Sequence, residues 1–174
     1  MGVMVSRGDP NGGDLAISDN ERKQQVWKAL EDVYDPELPA LSLVELGMVH
    51  DVAVLGPQVH VKLIPTFVGC PALEIMRHQV QRKLQEETGL EAIQVEFVFD
   101  TPWTSNHIQA SGREKLKQLG IAPPPSRFSP TTAPDCPYCG APGAEVVSVF
   151  GPSACRSVFY CKICQQPFEG IKFV

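Results

Sequence analysis

The sequence predicts an α+β chain: a small α-β-β-α-β-α sandwich domain, a proline-rich linker and a cysteine-rich C-terminal ribbon. Three observations carry this. Segments of helical and strand periodicity alternate between residues 18 and 120. Five prolines, Pro123, Pro124, Pro125, Pro130 and Pro134, crowd the stretch 121–135. Two CxxC pairs follow in 136–174.

Residues 1–17 are rich in Gly, Asp and Asn and read as a disordered tail. Ser18-Asp19-Asn20-Glu21 is a capping box, with Ser18 at the N-cap and Glu21 three residues on. The helix it opens carries Val26, Trp27, Leu30, Val33 and Tyr34 as a buried stripe and is expected to end at Asp35-Pro36. Met48 to Leu55 and Val59 to Leu63 read as an antiparallel hairpin about Gly56-Pro57. The first strand alternates imperfectly, because Val49 and Leu55 fall opposite Met48, Val52 and Val54. A second helix starts at Pro71, with Ala72, Ile75, Met76, Val80 and Leu84 facing inward, and stops at Thr88-Gly89. Ala92 to Phe99 is a third strand, with Ile93, Val95, Phe97 and Phe99 on one side. The last helix is expected from about Thr104 to Gln118, before Gly120.

In the tail, Cys136-Pro137-Tyr138-Cys139 and Cys161-Lys162-Ile163-Cys164 are separated by 21 residues. That slightly exceeds the ribbon spacing of about 15–20. Each CxxC turn aims two sulfurs at one point, and two turns complete a tetrahedron around zinc, with Zn–S distances of about 2.3 Å. A rubredoxin-like iron site uses the same ligands, so thiolate softness leaves zinc and iron both open. A segment of this length needs such a staple, since it cannot build an adequate core. Glu145 to Phe150 and Ser157 to Tyr160 read as its strands. Cys155, in the turn Gly151-Pro152-Ser153-Ala154-Cys155-Arg156, reads first as a small buried residue and second as a thiol facing a partner.

The first domain has one cysteine. Cys70 stands at the expected N-cap of the second helix, where unpaired N–H groups and the dipole would lower its pKa. There it either binds a soft metal, attacks an electrophile, or is simply a buried structural thiol. Asp35 and Glu37 flank Pro36 and either orient a metal or form a solvated turn in which Asp35 caps local N–H groups. His50, His60, His78 and His107 show no ligand spacing, and Trp103 reads as core. No Walker loop, dinucleotide fingerprint, nucleophile elbow or zinc-protease motif occurs, so no catalytic residue is assigned and a stand-alone enzyme is not expected.

The formal net charge of -5, with a charge-balanced tail, argues against nucleic acid as a partner. No apolar run reaches the roughly 20 residues of a membrane helix, and the N-terminal residues do not resemble a signal peptide. The reducing cytoplasm is the expected compartment, where CxxC pairs mean metal or redox chemistry. Nothing fixes the oligomeric state.

Asp35-Pro36-Glu37-Leu38-Pro39, Leu41 to Val49, the loop Pro65-Thr66-Phe67-Val68-Gly69-Cys70-Pro71-Ala72 and Thr101-Pro102-Trp103-Thr104 together resemble iron–sulfur assembly domains of the SufT and metal-sulfur-cluster type, over residues 21–120. Phe150 to Arg156, the second CxxC, Pro167-Phe168-Glu169 and Lys172-Phe173 are similar to the PaaD family, accessory proteins of the phenylacetyl-CoA epoxidase system. Ile64 and Pro152 depart from that pattern, standing where relatives often have Thr and Ser.

The resemblance implies a maturation role in aerobic phenylacetate degradation. Cys70, with Asp35 and Glu37 nearby, would form a transient site for iron or an iron–sulfur cluster. The client would be the di-iron oxygenase of the epoxidase or its iron–sulfur reductase. Two alternatives stand beside it: a non-catalytic structural or regulatory subunit, and a thiol oxidoreductase attacking through Cys70. The last is weakened by the lack of a resolving cysteine in that domain.

Overall fold

The computed structural model describes residues 18–125 and 133–172. The expected tail 1–17 and part of the expected linker, including Pro130, lie outside the described residues. Helix α1 spans Asp19–Leu30 and opens with the anticipated capping box: Ser18 Oγ accepts the Glu21 N–H, and the Glu21 carboxylate accepts the Ser18 N–H. The helix ends at Leu30, well before Pro36. Val33 is still buried, but Tyr34 is exposed, so the buried stripe is shorter than expected.

A knitted turn succeeds α1. Asp35 N–H donates to Leu41 O and Leu43 N–H to Val33 O, while Leu38, Leu41, Leu43 and Leu46 are buried beneath it. Each buried leucine contributes about 1.5–3 kcal/mol. This apolar underside holds the polar residues Asp35 and Glu37 in one place.

Strands β1 (Val49–Leu55) and β2 (Gln58–Leu63) form the antiparallel hairpin, with a register shift between Val49 and Asp51. The irregularity lies at the start of the strand; beyond it Val52 and Val54 pack inward and Leu55, in ordinary alternation, is exposed. Helix α2 (Leu73–Thr88) buries Met76, Val80 and Leu84 and leaves Ile75, expected inward, in solvent. Gly89 caps it at φ 65°. Strand β3 (Ala92–Phe97) then pairs parallel with β2, giving the sheet order β1-β2-β3. Phe99 lies beyond the strand and is exposed. The last expected helix is two pieces, a 3₁₀ turn at Ser105–His107 and α3 at Ala110–Gln118.

The second sheet differs most from expectation. Ile121–Ala122, assigned to the linker by its prolines, form strand β4. Strands β5 (Glu145–Ser148) and β6 (Arg156–Tyr160) form where strands were expected, and they pair antiparallel. A further strand, β7 (Pro167–Ile171), has no counterpart in the sequence reading; it pairs antiparallel with β6 and parallel with β4. A two-residue strand such as β4 is too short to leave a periodic signal. Ile121 and Ile171 also join the apolar core of the first domain, and the Tyr138 ring lies against Gly120. The ribbon is therefore seated on the sandwich.

The Asp35 turn is braced from below. Trp103 Nε1 donates to Leu46 O at 2.9 Å, and Gly47, at φ 66°, would place a Cβ 2.2 Å from His107 O. Gly56 has a similar φ of 58° with nothing near its Cβ position. Gly56→Ala should therefore cost about 1 kcal/mol for left-handed backbone alone. Gly47→Ala should cost about 1–3 kcal/mol more for overpacking. Urea unfolding of the two variants measures the difference; equal losses would contradict the packing argument.

Candidate metal and thiol sites

The CxxC turns bring the sulfurs of Cys136, Cys139, Cys161 and Cys164 within 4.8 Å of one another. Cys136 and Cys164 are 3.6 Å apart, as are Cys139 and Cys161. Four sulfurs about 2.3 Å from a central ion would be separated by close to these distances, so the set fits one tetrahedral metal. In each knuckle, backbone N–H groups point at sulfur. Donation from Cys164 N–H brings Cys161 down to about 7, while burial and the neighbouring thiols push Cys164 up to about 12. Ala122, Cys136, Ala144, Phe159, Cys161 and Phe168 make the small core beside the group, with Phe159 and Phe168 stacked at 5.5 Å.

The second site lies where the ribbon meets the first domain. Cys70 is half-buried, two residues before the N-cap, which is Ala72 and not Cys70 as expected. The Ala72 N–H still donates to its sulfur, yet burial outweighs that bond and raises the thiol pKa, with the charges of Glu37, Asp35 and Cys155 adding to the rise. The anticipated lowering is thus overturned by desolvation and by two carboxylates. Asp35 is buried, and its Oδ1 accepts the N–H of Glu37 at 2.7 Å and of Leu38 at 2.9 Å. It does cap the turn, but in the interior and not in solvent, and burial raises its pKa despite those two bonds.

Cys155 is half-buried. Its sulfur lies 3.9 Å from Glu37 Oε2 and 3.2 Å from Ser153 Oγ. Its neighbour Arg156 donates to Glu169 Oε2 at 2.6 Å, to Ser153 Oγ at 2.9 Å and to Glu37 O at 3.5 Å. Asp35 and Glu37, expected beside Cys70, are near enough for their charges to oppose its thiolate. Cys155 joins them unexpectedly. The separation of 118 residues between Glu37 and Cys155 has no local signal.

Metal removal by a strong chelator should release strands β5–β7 while β1–β3 stay folded, because only the ribbon depends on the four-sulfur group for its core. Hydrogen exchange checks this: fast exchange in 145–171 beside slow exchange in 49–63 is expected. Unchanged protection of β6 and β7 after metal loss would contradict it.

Comparisons with known proteins match two families along the chain. Residues 23–97 match the family described as iron-sulfur cluster assembly protein, and residues 121–172 match the PaaD zinc beta ribbon domain, which begins at β4. An Escherichia coli K12 protein named as a subunit of a "Putative 1,2-phenylacetyl-CoA epoxidase" is 31% identical, over 86% of this chain and 92% of its own. The Bacillus subtilis Fe-S protein maturation auxiliary factor YitW is 34% identical over 47% of this chain and 80% of its own. A Bacillus anthracis structure of a domain of unknown function, DUF59, superposes with a TM-score of 0.55 at 26% identity, covering 58% of this chain and 96% of that one. The chain belongs to the PaaD family, in which an iron–sulfur assembly domain carries a C-terminal zinc ribbon.

Proposed function

We propose that this chain is an accessory maturation factor for phenylacetyl-CoA epoxidase that holds iron or an iron–sulfur cluster as transient cargo at Cys70, beside Asp35 and Glu37. The observation that carries this is the pairing of a thiol with carboxylates. Carboxylates beside a cysteine oppose its thiolate, which is wrong for a nucleophile. The same carboxylates attract a cation, and a cation displaces the thiol proton as it binds. The electrostatics thus favour holding a metal over attacking a disulfide. A thiol that regains its proton on release also favours handing the metal on.

The phenylacetate context rests on the named Escherichia coli relative, and the auxiliary role on the Bacillus subtilis factor. The client is the di-iron oxygenase or the iron–sulfur reductase of the epoxidase. The ribbon, with a structural zinc on Cys136, Cys139, Cys161 and Cys164, serves as the docking element. Its edge strand β5 and the residues after it expose Val146, Val147, Val149 and Phe150, an apolar stretch that a client surface would cover. Among the described residues no helix is long and apolar enough to cross a membrane, and the cytoplasm is the proposed site of action.

Two substitutions test the role. Cys70→Ala should cost about 1 kcal/mol or less, yet leave epoxidase subunits deficient in iron. Asp35→Asn keeps the acceptor for both N–H groups and removes a buried charge. The folded pKa of Asp35 is raised, so its contribution favours folding at low pH and is lost as pH rises through that pKa. At neutral pH Asp35→Asn should therefore match or exceed the native melting temperature while client metal content falls. Metal analysis of the purified client decides. If fully metallated epoxidase still needs this chain stoichiometrically for turnover, the maturation role is wrong and a subunit role replaces it.

A further inference from the structure

The first domain offers only one thiol to a soft metal, and one thiol with carboxylates makes a weak, open site. We infer that Cys155, carried by the ribbon, is a second thiol ligand of the Cys70 site, so that cargo is held between the two domains by Cys70, Cys155 and the Glu37 carboxylate. This rests on the maturation reading above and extends it to a residue and a class of ligand: a divalent metal of intermediate softness, with ferrous iron as the natural cargo.

Four observations place Cys155 beside Glu37. Its sulfur approaches the Glu37 carboxylate, at 3.9 Å from Oε2. Its loop is built to hold that position: Lys172 N–H donates to Cys155 O at 2.8 Å, and Lys172 Nζ to Ala154 O at 2.7 Å. Gly151 permits the tight return, since a Cβ there would lie 2.8 Å from the Arg156 backbone. Arg156 ties the loop to strand β7 through Glu169 and to the first domain through Glu37 O. These contacts all converge on a turn whose one chemically distinctive side chain is a cysteine.

The charges agree with this placement. Cys155 and Cys70 are both pushed up by burial and by the same two carboxylates. Such a pair stays protonated without a cation. A divalent metal displaces both thiol protons to water, and the two thiolates balance its charge. Glu37 supplies an oxygen ligand, while Asp35, locked by two N–H bonds, supplies long-range attraction. An oxidative reading, in which Cys70 and Cys155 form a disulfide, needs a thiolate to start the exchange, and the carboxylates disfavour one.

Cobalt(II) is the probe, because its thiolate charge-transfer absorption grows with each sulfur bound. The full chain, with its ribbon filled by zinc, is titrated with cobalt without oxygen, and retained zinc is measured alongside. One cobalt beyond the zinc is expected. Cys155→Ser and Cys70→Ser should each reduce the band by about half and weaken binding about tenfold or more, as even outer-partner loss can do. Both together should abolish it. Glu37→Gln leaves the Arg156 contact to the main-chain carbonyl in place, so it should weaken binding while keeping the two-thiolate band. A native band and affinity in Cys155→Ser overturn the inference, and if Cys70→Ser still loses the band, the Cys70 role survives without it. Absence of cobalt binding in the native chain, or a Cys70–Cys155 disulfide formed in its place, also overturns it.

Discussion

Two backbone pairs, Ile121 with Glu169 and Ala122 with Gly170, seat the ribbon on the sandwich. They make β4 the first strand of the ribbon sheet immediately after α3 and Gly120. Gly170 is needed at that seam, because a Cβ would lie 2.8 Å from the Phe159 ring and press on Ala122. Ile121 and Ile171 then enter the core of the first domain. With the seam fixed, β6 starts beside the Asp35 turn, and the loop before it lays Cys155 against Glu37. Without the seam the ribbon would be a tethered module, and nothing in it would face the first domain in a defined way.

The site at the seam is organised by a conflict of charge. Asp35 is buried and ionisable, Glu37 is half-buried, and two thiols share the space with one guanidinium, that of Arg156. Stability alone does not call for such a group, since a buried carboxylate costs folding energy. The Asp35 turn meets that cost with four buried leucines and a tryptophan hydrogen bond beneath it. A cation is the one addition that improves the thiols and the carboxylates of the cluster at once. The ribbon's own four sulfurs have a different character: they lie within 4.8 Å of one another and fit one tetrahedral ion.

Much of this was legible in the sequence. The capping box, the hairpin, the Gly89 stop and the two CxxC pairs each depend on neighbours within a few residues, and each appears as read. The misreadings share one cause, which is that long-range packing decides them. Tyr34 and Ile75 have apolar side chains at helical spacing, but among the described residues no element covers them. Strand β4 hides among prolines because its pairing partner is 48 residues away. The Cys70 pKa was expected to fall because a helix start is a local feature, whereas Asp35 and Glu37 reach it only through the fold. Cys155 is the extreme case, since its meaning depends wholly on where the ribbon docks.

Iron held at the seam would have a spectroscopic signature distinct from that of an ion in the ribbon. X-ray absorption at the iron edge reads it, on the full chain with zinc in the ribbon and one equivalent of ferrous iron added without oxygen. The expected first shell holds two sulfurs with the rest oxygen or nitrogen, zinc content stays unchanged, and the sulfur signal is lost in Cys70→Ser/Cys155→Ser. A shell of four sulfurs with zinc displaced would place iron in the ribbon, and a shell with no sulfur would remove both thiols from the site; either result contradicts cargo held at the seam.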